Sequence, residues 1–222
     1  MFHTLLLVGD TNTGKTKTIQ ELLGSRFPDS CYINSTISLY NFMTPIPAEH
    51  VTKNSLEYYG IESYNINCTI WDAKGTINHF SHFCMVSNVS TVLIFCNLQN
   101  TTSCERIDFW SAMTGRYLGD VQIIVVGTIF LEEIEKTDEV SEEIDPFKTV
   151  EERQKEESER IVQKEYKRKI NQKLVERNKI NVLQWCVKEG DIPFFDIDLG
   201  KSDEIERMFQ SILVDRIIKI SK

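Results

Sequence analysis

Eight residues near the amino terminus limit the possible folds of this chain more than any other segment does. They run from Gly9 to Thr16 and match the pattern G-x-x-x-x-G-K-[ST]. The apolar run Leu5–Val8 precedes them and helix-forming residues follow, so the motif lies in the strand–loop–helix setting that it requires. Such a loop wraps backbone N–H groups around a phosphate at the positive end of a helix dipole. We therefore predict a phosphate-binding loop made of Gly9, Asp10, Thr11, Asn12, Thr13, Gly14, Lys15 and Thr16.

Individual positions of this loop have separate roles in binding a polyphosphate. Gly9 and Gly14 provide backbone conformations that a Cβ atom would obstruct. Lys15 places a positive charge between the β- and γ-phosphates, and the hydroxyl of Thr16 is an oxygen ligand suited to Mg²⁺. The centre of the loop has no glycine. Because Asn tolerates positive φ better than other residues with a side chain, Asn12 still allows the loop to form.

A second motif, D-x-x-G, runs from Asp72 to Gly75 and follows the strand residues Ile70 and Trp71. A carboxylate that ends a strand at this distance from a phosphate-binding loop is expected to help hold Mg²⁺. A glycine three residues later lets a backbone N–H approach a γ-phosphate. Asp72 and Gly75 thus join Thr16 in a predicted site for magnesium and a nucleoside triphosphate.

Short β-forming runs alternate with helical patterns, which predicts an α/β fold with a mostly parallel sheet and helices on both of its faces. The predicted strands are Thr4–Val8, Tyr64–Trp71, Val89–Cys96, Val121–Gly127 and Pro193–Ile197. The middle three are rich in Val, Ile and aromatic residues, as is typical of strands buried on both faces. Helices are predicted at about 15–24, 102–117 and 203–219, with Trp110 of the second helix in the core.

Together, these motifs resemble those of the Ras-superfamily small GTPases, and within them the Rab branch. The likeness continues at Phe27, which matches the aromatic residue beside the base. It also includes Thr36, which matches the switch threonine that closes on Mg²⁺ and the γ-phosphate. Val125–Gly127 is similar to the strand before the guanine-reading motif, and 193–209 aligns with the last strand and helix of the family.

The resemblance implies a P-loop small-GTPase fold with a six-stranded sheet, formed by a single domain over residues 1–222. It implies that the chain binds GTP or GDP together with Mg²⁺, which Thr16, Thr36 and Asp72 would hold. Effector or regulator proteins in vesicle trafficking or signalling would then recognise nucleotide-dependent changes at 27–40 and 72–85.

The chain departs from the family pattern where the family hydrolyses GTP and recognises guanine. Thr76 replaces the glutamine that orients the attacking water, so we assign no catalytic residue and expect slow intrinsic hydrolysis. The guanine-reading motif [N/T]-K-x-D is T-I-F-L at Thr128–Leu131, which keeps the threonine but loses the lysine and the aspartate. The family's last base-contacting segment, Ser-Ala-Lys, is replaced here by Asp198-Leu199-Gly200. Because a charged acceptor is lost, we expect a weakened preference for guanine over adenine.

A highly charged insertion from Glu132 to about Lys179 lies before the last predicted strand. It opens with eight acidic residues and one lysine up to Asp145, and then contains no Gly or Pro after Pro146 until Gly190, a composition that favours a helix. Apolar residues repeat every four positions at Val162, Tyr166, Ile170 and Leu174. Two interpretations are open: a solvated helix that lies on its own domain, or a helix that docks a partner protein.

The composition limits the partners and the compartment. A net charge of −8 argues against nucleic acid or an anionic membrane as the main partner, since both need a basic patch. No apolar stretch is long enough to span a bilayer, and the terminal residues 217–222 contain no cysteine for prenylation. We therefore expect a cytoplasmic protein without a stable membrane anchor, peripheral to membranes only through partners.

The sequence shows no convincing metal-ligand pattern among its cysteines and histidines. The six cysteines have no metal-type spacing and are predicted to be buried free thiols. His79, His82 and Cys84 lie close together but are interpreted as surface and packing residues.

Two functions of different classes follow from these residues. In the first, the protein is a nucleotide-dependent switch and, if active, a weak GTP hydrolase. In the second, it is a pseudo-GTPase whose insertion at 132–179 binds a partner without nucleotide turnover. A base-indifferent or ATP-using P-loop enzyme is a third alternative, for which the sequence shows no catalytic base that would act on a second substrate.

Overall fold

The computed structural model describes residues 2–24, 37–47, 63–75, 86, 88–130 and 150–220, and every strand in these residues belongs to one sheet. In chain order, the elements are β1 Phe2–Gly9, α1 Lys15–Leu23, β2 Ile37–Pro47, β3 Ser63–Ala73, β4 Thr91–Asn97, α2 Thr101–Glu105, α3 Ile107–Leu118, β5 Gln122–Ile129, α4 Val150–Lys188, β6 Phe194–Asp198 and α5 Ser202–Ile220.

The six strands lie in the order β2-β3-β1-β4-β5-β6. β2 runs antiparallel to β3, and every other neighbouring pair is parallel. The predicted α/β fold with a six-stranded, mostly parallel sheet is therefore confirmed. The sequence pattern missed β2, because Pro45 and Pro47 are unfavourable within a central strand; the structure places β2 at the edge of the sheet, where proline is tolerated.

The strands next to the centre of the sheet differ in burial. In β4 the residues from Thr91 to Cys96 are all buried, as predicted for a strand covered on both faces. In β3, by contrast, exposed Asn65 and Asn67 alternate with buried Ile66 and Cys68. The prediction of burial on both faces is therefore wrong for β3, which pairs with the edge strand and has one face open to solvent over these residues.

Alternate side chains of β1 enter two separate cores, as the two-residue period of a strand requires. Leu5 and Leu7 pack in a core that includes residues of α1 and α5, such as Ile19 and Met208. On the other face, Leu6 and Val8 pack with residues of α3 and α4. Helices therefore cover both faces of the sheet, as the sequence predicts.

The predicted helix at 102–117 is interrupted at Arg106, so the structure has α2 and α3 in its place. Arg106 has φ −83° and ψ 3°, and its backbone carbonyl still accepts a bond from the N–H of Trp110 at 3.1 Å. Its guanidinium lies 3.3 Å from the Asp10 carboxylate and over the ring of Phe109. The interruption thus coincides with a contact to a residue far away in sequence, which the helical pattern does not reveal.

Helix α4 continues past the predicted end of the insertion at Lys179 and ends at Lys188, just before Gly190. Its later part packs on the sheet, because Asn178, Val182 and Cys186 are buried. Between 161 and 170, every side chain that the structure describes is exposed. Val162, Tyr166 and Ile170 of the predicted apolar repeat therefore do not contact the sheet, whereas Leu174 is half-buried.

The buried Asn178 anchors α4 to the loop after β4, and replacing it with alanine is expected to destabilise the fold by about 2–3 kcal/mol. Its Nδ2 donates to the carbonyl oxygen of Leu98 at 2.8 Å, and its Oδ1 accepts from the hydroxyl of Thr101 at 3.3 Å. The substitution leaves a buried carbonyl without its partner. Urea unfolding measures the change, with the exposed Gln172→Ala on the same helix as control; equal stability of the two variants would contradict the prediction.

Four of the six cysteines, Cys68, Cys96, Cys104 and Cys186, are buried free thiols as predicted. Cys31 and Cys84 lie outside the described residues, as do His79 and His82. Among the residues that the structure does describe, no group of three or more His, Cys, Asp or Glu side chains could hold a metal ion. The helices in the same residues include none that is both long and apolar enough to cross a membrane.

Candidate functional site

The predicted phosphate-binding loop lies at the carboxyl end of β1, between the ends of β3 and β4. The chain leaves β1 through this loop and forms β2 and β3 on one side of β1. After β3 it crosses to the other side of β1, where it forms β4, β5 and β6. In open α/β sheets, ligands bind at such a switch point. The same edge carries Asp72 from β3, Asn97 from β4 and Thr128 from β5.

The backbone of the loop has three positive φ angles, which curve it around its own centre. They are 137° at Gly9, 58° at Asn12 and 83° at Gly14. Asn12, whose side chain tolerates positive φ, thus allows the loop to form without a central glycine, as expected. At Gly9 the close approach of β4 also matters, because a Cβ atom there would lie 2.3 Å from the carbonyl oxygen of Phe95.

Lys15 lies at the centre of this curved loop, with only 5% of its surface exposed. Its ammonium donates to the carbonyl oxygens of Gly9 at 3.0 Å and Asp10 at 2.6 Å, and to the Thr13 hydroxyl at 3.2 Å. Burial lowers the pKa of Lys15 to about 8, although the charges of Asp72 and Asp10 act in the opposite direction. The loop therefore holds a buried cation with too little countercharge, and an entering phosphate would supply the remainder.

Thr16 and Asp72, which are 56 positions apart in sequence, meet beside Lys15. The Thr16 hydroxyl donates to Oδ2 of Asp72 at 2.6 Å, and Asp72 is buried. Burial raises the pKa of Asp72, while the Thr16 hydrogen bond and the charges of Lys15 and Lys74 lower it. A hydroxyl and a carboxylate are the hard oxygen ligands that Mg²⁺ prefers, so these two side chains fit the predicted metal.

Gly75 packs directly on the backbone of the phosphate-binding loop, whereas the approach of its N–H to a γ-phosphate stays a prediction. A Cβ atom at this position would lie 2.2 Å from the carbonyl carbon of Asp10 and 2.3 Å from the backbone nitrogen of Thr11. Only glycine allows this approach. Phe27, Thr36 and Thr76 lie outside the described residues, so their roles stay predictions.

The carboxylate of Asp10 connects the loop to α3, a contact that the sequence analysis did not predict. Oδ1 of Asp10 accepts a hydrogen bond from the Trp110 indole at 3.0 Å and lies 3.3 Å from the Arg106 guanidinium. Trp110 is buried, as predicted, but its N–H also positions the phosphate-binding loop. No spacing pattern could have indicated this contact, since Asp10 and Trp110 are 100 positions apart.

A cavity of about 500 Å³ opens beside the loop and is lined by Asn12, Thr13, Gly14, Lys15, Thr16, Lys17, Asn97, Gln99 and Phe130. The hydroxyl of Thr128 donates toward the carbonyl oxygens of Thr13 and Cys96, at 3.1 and 3.2 Å, and so ties β5 to the loop. Oε1 of Gln99 accepts from the backbone N–H of Phe130 at 2.9 Å. The sequence patterns did not single out Asn97 and Gln99, although polar residues at and just after the end of a parallel strand are a usable signal for this edge of the sheet.

The residues at the family's base-reading positions contact one another. The backbone N–H of Leu199 donates to the carbonyl oxygen of Ile129 at 3.1 Å. The Leu199 side chain is fully buried and covers Gly14, where a Cβ would lie 2.3 Å from its Cδ1. Oδ1 of Asp198 accepts from the N–H of Gly200 at 3.0 Å. The Leu199 N–H and the Asp198 carboxylate thus form hydrogen bonds within the protein, and the Leu199 side chain packs on the loop. This agrees with the loss of the guanine-reading residues from the sequence.

Comparison with known proteins identifies the family of the chain. The family profile described as Roc, the Ras of Complex domain of DAPkinase, matches residues 4–130 of the 222 and thus more than half of the chain. The match includes the phosphate-binding loop, Asp72–Gly75 and Thr128. No curated protein matches the sequence. The predicted Ras-superfamily membership is confirmed, and the Rab likeness stays a prediction. The chain belongs to the Roc family of Ras-like GTPase domains, which implies that it binds a guanine nucleotide.

Proposed function

We propose that this protein is a nucleotide-dependent switch that binds GTP or GDP with Mg²⁺, distinguishes bases weakly and hydrolyses GTP slowly. The observation that carries the proposal is that Lys15, Thr16, Asp72 and Gly75 converge on one loop. These residues come from two separate motifs. Lys15 supplies a cation, and Thr16 and Asp72 supply two oxygen ligands for Mg²⁺. Gly75 allows a close backbone approach.

Lys15 and the loop backbone would bind the polyphosphate. The ammonium is buried and contacts neutral carbonyl groups, so it interacts more favourably with an anion than an exposed lysine does. Helix α1 begins at Lys15, and the first N–H groups of a helix have no intrahelical partner. These groups and the helix dipole favour an anion at the same place.

Thr16 and Asp72 would hold Mg²⁺, together with Thr36 as a further predicted ligand. When bound, the ion neutralises charge on the β- and γ-phosphates. Asp72 contributes an acceptor that is already oriented by the Thr16 hydroxyl at 2.6 Å. A cation beside this buried carboxylate also favours its ionised form.

The contact of Gly75 with Asp10 and Thr11 would couple the loop to the segment that follows β3. Because the two backbones approach so closely, a γ-phosphate bound at the loop would lie near Gly75. The presence or loss of the γ-phosphate would therefore change the preferred conformation of the predicted switch segments at 27–40 and 72–85. Effector or regulator proteins in trafficking or signalling, as the superfamily resemblance implies, would bind these segments.

Removal of magnesium or of its carboxylate tests this proposal. Freshly purified protein, once denatured, is expected to release GDP or GTP, and chelation of magnesium before denaturation should free the nucleotide. Asp72→Asn should lower the magnesium affinity of the GDP complex by about 10- to 100-fold, as substitutions around metal sites typically do. Fluorescent-GDP titrations at several magnesium concentrations measure the change, with the exposed Asp203→Asn as control. Binding without any dependence on magnesium in the wild type would refute the proposed metal site.

A second candidate, a pseudo-GTPase that acts through the insertion, is favoured by two observations. First, the backbone N–H of Leu199 and the carboxylate of Asp198, both at base-reading positions, form hydrogen bonds within the protein. Second, the side chains described at 161–170 of α4 are exposed. A folded wild-type protein that releases no nucleotide and shows no binding of GDP or GTP would support this candidate over the switch.

A further inference from the structure

Helix α4 has two apolar faces, and only one of them contacts the sheet of its own chain. Successive residues of an α-helix are rotated by about 100°, so the buried Asn178 and Val182 point to one side. The exposed Ile161 and Ile170 lie at the two flanks of the opposite side. Its centre is apolar at five positions: Val162 (65% exposed), Tyr166 (67%), Ile180 (52%), Leu183 (40%) and Val187 (65%). We call these five residues the outer stripe.

The outer stripe follows the heptad spacing of helices that pair with other helices. Tyr166, Ile180 and Val187 lie on one row of positions seven residues apart, and Val162 and Leu183 lie on the neighbouring row. The remaining positions of the two rows are charged: Lys169, Lys173 and Glu176. The two rows are thus apolar at both ends and charged in the middle.

We propose that the outer stripe binds a second copy of this chain, whose α4 lies antiparallel to the first. A two-fold axis between residues 174 and 175 places Val162 opposite the partner's Val187 and Tyr166 opposite the partner's Leu183. Lys173 then faces the partner's Glu176, and the symmetry repeats each of these pairs. In this register Lys169 lies opposite the partner's Ile180, where the methylene groups of the lysine can pack while its ammonium reaches solvent.

Charge determines the direction of pairing. A parallel pair in register would place Lys169, Lys173 and Glu176 each opposite its own copy, so that three like-charge contacts replace the two opposite-charge contacts of the antiparallel pair.

The antiparallel arrangement also preserves the contacts of each α4 with its own sheet. Those contacts use Asn178, Val182 and Cys186, on the face away from the stripe. The exposed half at 161–170 of one helix would lie along the 179–188 half of the other, which is supported by the partner's sheet. The half of α4 that its own domain leaves exposed is thereby covered.

Reversal of the central charges tests the register. Light scattering of the full chain at micromolar concentrations should give twice the 25.8 kDa mass of one chain. Lys173→Glu and Glu176→Lys should each weaken the dimer about tenfold or more, because each creates two like-charge contacts, and the double variant should restore it. Lys167→Glu, which lies outside both rows, is the matched control.

A monomeric wild type would overturn the proposal, and another segment of the chain or a different molecule would then cover the stripe. A double variant whose dimer is as weak as that of either single variant would also overturn it.

Cysteine cross-linking tests the direction independently of affinity. Tyr166→Cys and Leu183→Cys chains, purified separately with unfolding transitions like the wild type, should form a mixed disulfide when combined and oxidised. Each variant alone should form little, because identical positions lie ~25 Å apart in the antiparallel pair. Efficient cross-linking of Tyr166→Cys to itself, or none in the mixture, would show that the helices do not pair in this way.

Discussion

Replacing Lys15 with alanine is expected to lower the affinity for GDP and GTP by about a hundredfold or more in saturating magnesium. The substitution removes the ammonium that the loop holds with bonds to Gly9, Asp10 and Thr13. Hydrogen bonds to charged groups contribute about 1.5–3 kcal/mol each, and a lysine between two phosphates makes more than one of them. A loss of about 3 kcal/mol corresponds to somewhat more than a hundredfold in the dissociation constant.

Calorimetry and thermal unfolding measure this effect together. A nucleotide at about 100 times its dissociation constant stabilises a protein by about 2.7 kcal/mol, most of which the variant should lose. The exposed Lys188→Ala removes the same charge far from the site and should retain both the affinity and the stabilisation. If Lys15→Ala keeps wild-type affinity and the same rise in unfolding temperature with GTP, the loop does not bind the nucleotide through its lysine, and the proposed function fails.

Replacing Gly9 with alanine is expected to destabilise the fold itself, by about 2–5 kcal/mol. Two costs add at this position. The φ angle of 137° is one that residues with a side chain rarely adopt, and the new Cβ would lie 2.3 Å from the Phe95 carbonyl oxygen. That oxygen belongs to β4, in the middle of the sheet, so it cannot move away as a flexible side chain could.

Chemical denaturation compares this variant with a glycine whose replacement should have the opposite effect. Gly115 lies in α3, and a Cβ there meets no atom within 4 Å. Because glycine is a poor helix former, Gly115→Ala should stabilise the protein by up to about 1 kcal/mol. A Gly9→Ala protein as stable as the Gly115→Ala protein would mean that β1 and β4 do not approach each other as the structure shows.

Residues that act near one another in sequence were predictable. The phosphate-binding loop, its strand and its helix are contiguous, so one motif predicted the curved loop and placed Lys15 within it. The D-x-x-G motif could be assigned to the same site because its chemistry requires a phosphate nearby, and Gly75 does contact the loop. Alternating strand and helix patterns likewise predicted the sheet and its two covered faces.

Residues whose role depends on distant partners were not predictable. β2 forms only because β3 pairs with it along its length, and its prolines are acceptable only because it lies at the edge of the sheet. Trp110 looks like any core aromatic until the fold brings its N–H to Asp10. Gln99 and Phe130 meet because β4 and β5 end side by side.

The sequence by itself thus determined the conformation and charge of the predicted phosphate site, because these are local properties of Gly9–Thr16. Only the tertiary structure decided which face of α4 packs on the sheet. The helix is rich in charged residues on all sides, and its apolar residues do not mark a single stripe. Burial of Asn178 and Val182 against the sheet leaves the outer stripe exposed, because a straight helix cannot turn both of its faces toward one surface.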